Sequence, residues 1–171
     1  AYSILQDVEG GREMHMKIVK MGIEGDPLIG NTLIDMYAKC ALMADGEHVF
    51  SNLTVHDVIL WNTVLSGYTE HGHCEKVLSL IEKMQSYNIS PDEITFTYGL
   101  SACADLNMIV KGQELHAEIA TKGLELEKFT ANMLINMYAK CGSLAEAQQI
   151  FDTLPCRDIN SWNVVIEGYG S

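Results

Sequence analysis

The sequence predicts an all-α solenoid of two-helix repeats, and three observations predict it. The ten residues 31–40 (Asn-Thr-Leu-Ile-Asp-Met-Tyr-Ala-Lys-Cys) return as 132–141, altered only where Thr32 becomes Met133 and Asp35 becomes Asn136. The same shift carries Gly11, Glu13 and His15 onto Gly112, Glu114 and His116, Phe50 onto Phe151, and Asp57 onto Asp158. It also carries Trp61-Asn62 onto Trp162-Asn163 and Gly67-Tyr68 onto Gly168-Tyr169, and roughly 25 of about 70 superposable pairs are identical. Apolar residues otherwise fall at three- and four-residue intervals, and no strand-length alternation competes with them. A two-helix unit of this size cannot bury its apolar face alone. It does so by stacking on its neighbours, which generates a solenoid with an extended concave surface.

Turn signals divide the long period. Pro91-Asp92 offers a turn, and Asp57 and Asp158 follow short polar stretches, so the period splits into units 58–92, 93–127 and 128–158. The chain then comprises a partial unit 1–26, full units 27–57, 58–92, 93–127 and 128–158, and a partial unit 159–171. The second helix of the last full unit is the clearest: Leu144, Ala147, Ile150, Phe151 and Leu154 form one stripe. Gly142 is placed to close the preceding helix, and Ser143-Leu-Ala-Glu146 reads as a capping box. The counterpart near Leu42 lacks that cap, so a helix around 44–53 is expected to begin less sharply.

Composition limits the function. With 171 residues and 47% hydrophobic content the chain can bury a substantial core, and no run of about 18 apolar residues offers a membrane span. The start at Ala1 shows neither a charged signal sequence nor an Arg-rich presequence, and the chain reads as an excerpt of a longer protein. Five cysteines without a C-x-x-C pair argue against a disulfide framework and a structural zinc site. His71-Gly-His73-Cys74 gathers three potential ligands in a turn with no fourth nearby, and reads as a solvated turn with no metal. The net charge of −12 lacks the basic surplus from which nucleic-acid binders draw counterion-release affinity.

The tetratricopeptide pattern W-x-x-L-G-x-x-Y fails here, because Trp61 and Trp162 are each followed at once by Asn near the start of a helix. Together with Asn-x-Leu-Ile-x-Met-Tyr-Ala-Lys-Cys, Gln113-Glu-Leu-His116 and Ile89-Ser-Pro-Asp92, these segments resemble the pentatricopeptide repeat proteins of land plants along the whole chain. More narrowly, they resemble the subclass that alternates P, L and S motifs. The resemblance makes 1–26 and 93–127 L motifs, 27–57 and 128–158 S motifs, and 58–92 and 159–171 P motifs of a right-handed α-solenoid. It implies binding of single-stranded RNA in a mitochondrion or chloroplast, one base per repeat, with editing-complex proteins as further partners and no cofactor.

On that register the fifth and last residues of a motif read the base. The resemblance therefore implies reading by Asn31 with Asp57, Asn62 with Asp92, Asn132 with Asp158, and Thr97 with Glu127, and by Asn163 in the terminal unit without its closing partner. An Asn amide carries a donor and an acceptor suited to the uracil edge, and an adjacent carboxylate can orient it. The Asn-Asp pair implies uracil first and cytosine second, whereas Thr97 with Glu127 has no assigned base. The second residue of each motif, Leu28, Ile59, Ile94 and Phe129, is implied to pack on base faces, with Asn160 departing from the pattern. Lys39 and Lys140 occupy the position implied to approach phosphate, where Glu70 and Asp105 do not fit.

Structural readings stand beside these. Asn near a helix start and Asp just before one are ordinary capping residues. Cys40 and Cys141 read as buried packing, His15 and His116 as packing or helix-surface groups, and Tyr37, Tyr68, Tyr138 and Tyr169 as core between repeats. No phosphate loop, nucleophile elbow or zinc-deaminase motif is visible, so no enzyme is expected. The expectation is target recognition for organellar RNA editing or another maturation step. The alternative is a protein-interaction scaffold whose acidity favours a basic partner.

Overall fold

The computed structural model describes residues 2–125 and 127–170, with side chains from residue 8 onward, so the outermost residues of both partial repeats lie outside the description. Among the described residues there are ten helices and no strand: α1 (Tyr2–Met21), α2 (Pro27–Lys39), α3 (Met43–Asn52), α4 (Val58–Glu70), α5 (Cys74–Ser86), α6 (Glu93–Asp105), α7 (Ile109–Thr121), α8 (Lys128–Lys140), α9 (Leu144–Thr153) and α10 (Ile159–Tyr169). Acidic side chains start four of them. Asp26, Asp57, Asp92 and Asp158 are the N-caps of α2, α4, α6 and α10, each accepting from backbone N–H groups that the first turn leaves without a helical partner. Asp92 with Thr95 and Asp158 with Ser161 complete reciprocal capping boxes.

Gly142 closes α8 as its sequence position suggests. It adopts φ 76°, its N–H donates to the Ala139 carbonyl at 3.0 Å, and the Ser143 N–H donates to the Tyr138 carbonyl at 2.8 Å. Ala41 does the same for α2 with φ 58°, and the matching bonds run to Ala38 at 2.9 Å and from Leu42 to Tyr37 at 2.8 Å. The capping box at Ser143 does not form. Ser143 lies immediately after the left-handed residue with its N–H committed to α8, and its ψ of 63° falls short of the extended ψ of the capping aspartates Asp92 and Asp158. Leu42, with ψ 56°, leaves α3 equally uncapped, so α3 and α9 begin alike and the expected contrast between them is absent.

The chain forms two compact units, one of residues up to His73 with Met84–Ser90, the other of Cys74–Lys83 with the residues from Pro91 onward. In the first, Trp61 is fully buried and meets Phe50 edge-on at 4.8 Å and Tyr87 at 5.5 Å, and Leu33, Ile34, Val49 and Leu65 are buried too. Here α2 and α4 approach closely: a Cβ on Gly67 would stand 2.7 Å from the Ala38 Cβ. The second unit repeats the device. A Cβ on Gly168 would stand 2.6 Å from the Ala139 Cβ, and Phe96, Leu100, Leu134, Ile135 and Met137 are buried.

His15 and His116 prove to be clamps between successive helices. His15 Nδ1 lies 2.7 Å from the Tyr37 hydroxyl and Nε2 lies 3.1 Å from Glu24, while His116 makes the equivalent contacts with Tyr138 at 2.8 Å and Glu125 at 2.7 Å. Tyr37, Tyr68 and Tyr138 are buried, but Tyr169 is 61% exposed, its hydroxyl donating to Gln148 at 3.3 Å. Cys40 and Cys141 are half-buried rather than buried, because each is the C-cap residue where its helix turns outward. His71 Nε2 lies 2.6 Å from the Ala38 carbonyl oxygen, and the His73 ring packs edge-on against Tyr68, so the turn histidines are structural hooks.

Candidate nucleic-acid interface

The start of α2 and the start of α4 converge on one pocket. It encloses about 240 Å³ and is lined by Pro27, Leu28, Asn31, Val55, Asp57, Ile59 and Leu60. Four of these were singled out from the sequence, two as base readers and two as face-packing residues. The convergence follows from helix geometry. Asn31 stands one turn beyond the N-terminus of α2, Asp57 caps α4 through the Leu60 N–H at 2.9 Å, and Leu28 and Ile59 occupy the second positions of the two helices. Helical positions this close to an N-terminus cannot be covered by their own preceding turn. Leu28 is 77% exposed and Ile59 63%, while Leu33, Ile34, Leu60 and Trp61 a few residues on form the core. Two apolar walls with an amide and a carboxylate between them suit a flat heterocycle with a polar edge. The volume falls below the roughly 300 Å³ at which drug-sized sites begin, as a single ring would require.

In the second unit the same ingredients meet different neighbours. Phe129 is 58% exposed at the second position of α8, Asn132 is half-buried one turn in, and Asp158 caps α10 through Ser161 N at 2.8 Å. Lys128 holds the other carboxylate oxygen of Asp158 at 2.7 Å, and this ion pair, with the Ser161 hydrogen bonds, keeps the carboxyl far below the usual range. Pro27 stands at the corresponding place in the first unit and cannot do this. Ile94 is likewise exposed at the second position of α6.

The remaining site residues vary. Asn62 is buried at 8% exposure, Thr97 is half-buried with its hydroxyl donating to the Glu93 carbonyl at 2.9 Å, and Asn163 is exposed. Glu127 precedes α8 without capping it through its side chain. Lys39 donates to Asp35 at 2.7 Å and Lys140 to Asp105 at 2.9 Å, so both lysines already hold carboxylates. Sequence reading missed Thr63, whose hydroxyl lies 2.6 Å from Asn31 Oδ1. Its only signal was the change to Val164 at the 101-residue shift. A larger hollow of about 360 Å³, bordered by His116, Glu125, Tyr138 and Glu146, belongs to the histidine clamp.

Residues 129–159 match the PPR repeat, and residues 56–105 match a PPR repeat family. These two segments carry pentatricopeptide repeats. The chain is 36% identical over 168 residues to a putative pentatricopeptide repeat-containing protein of Arabidopsis thaliana, covering 98% of this chain and 24% of that protein. It is 37% identical over 160 residues to a mitochondrial one of the same plant, covering 94% and 26%, and 35% identical over 165 residues to a chloroplastic one, covering 96% and 19%. The chain thus spans about a quarter or less of these PPR relatives. Among solved structures it superposes on the pentatricopeptide repeat protein PPR10, crystallised in complex with an 18-nt psaJ RNA element. The TM-score is 0.62 at 20% identity, over 94% of this chain and 25% of that one. That similarity establishes the α-solenoid fold.

Proposed function

We propose that this chain binds single-stranded RNA through its repeats, one base per repeat, and supplies target choice for organellar RNA editing or another RNA maturation step. The observation that carries the reading is the pocket of the first unit, where Leu28 and Ile59 flank Asn31 and Asp57. A pyrimidine entering it would stack between the two aliphatic side chains and set its polar edge against the amide, with the Asp57 carboxylate fixing the amide from the side. The match to a PPR protein crystallised with RNA supports the same partner, and the mitochondrial and chloroplastic relatives support an organellar setting. The repeat register 27–57, 58–92, 93–127 and 128–158, the alternation of P, L and S motifs, and the pairs Asn62 with Asp92 and Thr97 with Glu127 form part of this proposal.

Affinity rests on base contacts. The charge of −12, and lysines 39 and 140 already bound to carboxylates, leave little phosphate attraction, so binding should depend only shallowly on salt. The repeats select the sequence, and a separate domain or partner performs the chemistry. A mobility shift comparing a uridine-rich with an adenosine-rich oligonucleotide tests this. Preference for the uridine-rich strand is expected; equal or absent binding favours a protein-interaction scaffold instead.

A further inference from the structure

The two Asn-Asp pairs that the 101-residue shift makes equivalent differ in what holds the asparagine. Asn31 Oδ1 lies 2.6 Å from the Thr63 Oγ1 of α4, the first helix of the following repeat. Two oxygens at that separation need a proton between them, and only the hydroxyl has one, so Thr63 donates and Asn31 accepts. The same hydroxyl lies 3.0 Å from the Ile59 carbonyl, a more distant second acceptor for its one proton. In the second unit, Asn132 Oδ1 is enclosed and has no hydrogen-bond partner among the described residues. The residue at the place of Thr63 is Val164, the same shape without the hydroxyl.

We infer that Thr63 is a positioning residue that locks the Asn31 amide with its oxygen inward and its amino group toward the base, and that Val164 leaves Asn132 without this lock. The inference rests on the base-reading function proposed above. An asparagine held one way presents donors alone and selects an acceptor on the base edge, such as a pyrimidine carbonyl, whereas one free to turn presents either a donor or an acceptor and tolerates more bases. Specificity at a repeat is then set partly by the repeat that follows it. The nucleotide read by Asn31 with Asp57 should accordingly be more sharply defined than the one read by Asn132 with Asp158.

The test is selection of a randomised 12-nucleotide RNA pool by the protein and its variants, sequenced before and after binding. Asn31→Ala and Asn132→Ala identify which position of the motif each repeat reads. Thr63→Val should then reduce the ratio of best to second-best base at the first position by roughly fivefold, the effect of one neutral hydrogen bond. Val164→Thr should raise that ratio at the second position, and Thr63→Ser, which keeps the hydroxyl, should preserve it at the first. A hydroxyl that merely stabilised the helix pair would shift overall affinity and leave both ratios alone. If Asn31→Ala erases the preference but Thr63→Val does not change it, the lock is wrong and base reading stands. If Asn31→Ala leaves the preference intact, base reading by this residue falls, and the lock falls with it.

Discussion

Ala41 occupies a backbone conformation for which its side chain is unsuited, and replacing it with glycine should stabilise the chain. At φ 58° it is the left-handed residue that ends α2, in the place that Gly142 fills after α8. An L-residue with a Cβ costs about 1–2 kcal/mol in this region. Glycine avoids that but loses roughly 0.5–1 kcal/mol more backbone entropy on folding. Ala41 is exposed, so its methyl group contributes no packing that would be lost. The difference leaves a gain of about 0.5–1 kcal/mol for Ala41→Gly and a similar loss for Gly142→Ala. At about 2–4 °C per kcal/mol for a chain of this size, melting followed by circular dichroism should shift up by a degree or more for the first variant and down for the second. Because repeat arrays can unfold in stages, the shift should appear in the transition that includes α2 and α3. A destabilised Ala41→Gly would refute the assignment of this turn and its equivalence to the turn at Gly142.

Other expectations follow from the same geometry. Gly67→Ala should cost about 1–3 kcal/mol, since its methyl would enter the space of the Ala38 side chain; urea denaturation measures it, and a neutral result would deny the close helix approach. Asp158 titrates below its unfolded value, so the stabilisation it brings is fully present above the ordinary carboxylate value and is lost as pH falls from there through the folded value. Lys128→Ala should move its carboxyl resonance titration upward, and an unchanged curve would show that Lys128 does not hold it. Burial pushes the Cys103 thiol up to about 12, so at pH 8 iodoacetamide should label the exposed Cys156 and spare Cys103; equal labelling would contradict the buried placement. Replacing Asn62 and Asp92 with Ser and Asn should turn one selected base toward adenine by about 1–3 kcal/mol, and unchanged preference would contradict the repeat register.

The helical repeat was legible because the 101-residue recurrence records packing needs that each unit shares: Trp61, Gly67 and Tyr68 recur as their counterparts do, and Gly142 announced its turn. The capping box was not. Ser143-Leu-Ala-Glu146 has the right residues, but its N–H is taken by the turn that closes α8, and a pattern of side chains does not reveal backbone ψ. Tyr169 and Trp162 match buried partners in the first unit yet are exposed, because burial depends on a neighbour and not on the residue itself. At the candidate site, Leu28, Asn31, Asp57 and Ile59 could be named from register, and their convergence on one pocket needed only helix geometry. The hold of Lys128 on Asp158 and of Thr63 on Asn31 could not. Both are contacts between helices some 30 residues apart, and identical Asn-Asp pairs conceal them.

The most direct measurement is photo-crosslinking of the protein to a uridine-rich oligonucleotide carrying 4-thiouridine, with the attachment sites mapped by mass spectrometry. Attachment within residues 27–31 and 55–60, lost on competition with unlabelled uridine-rich RNA, is the result this account predicts. Attachment confined to α3, α5, α7 or α9, or none at any site, would contradict it.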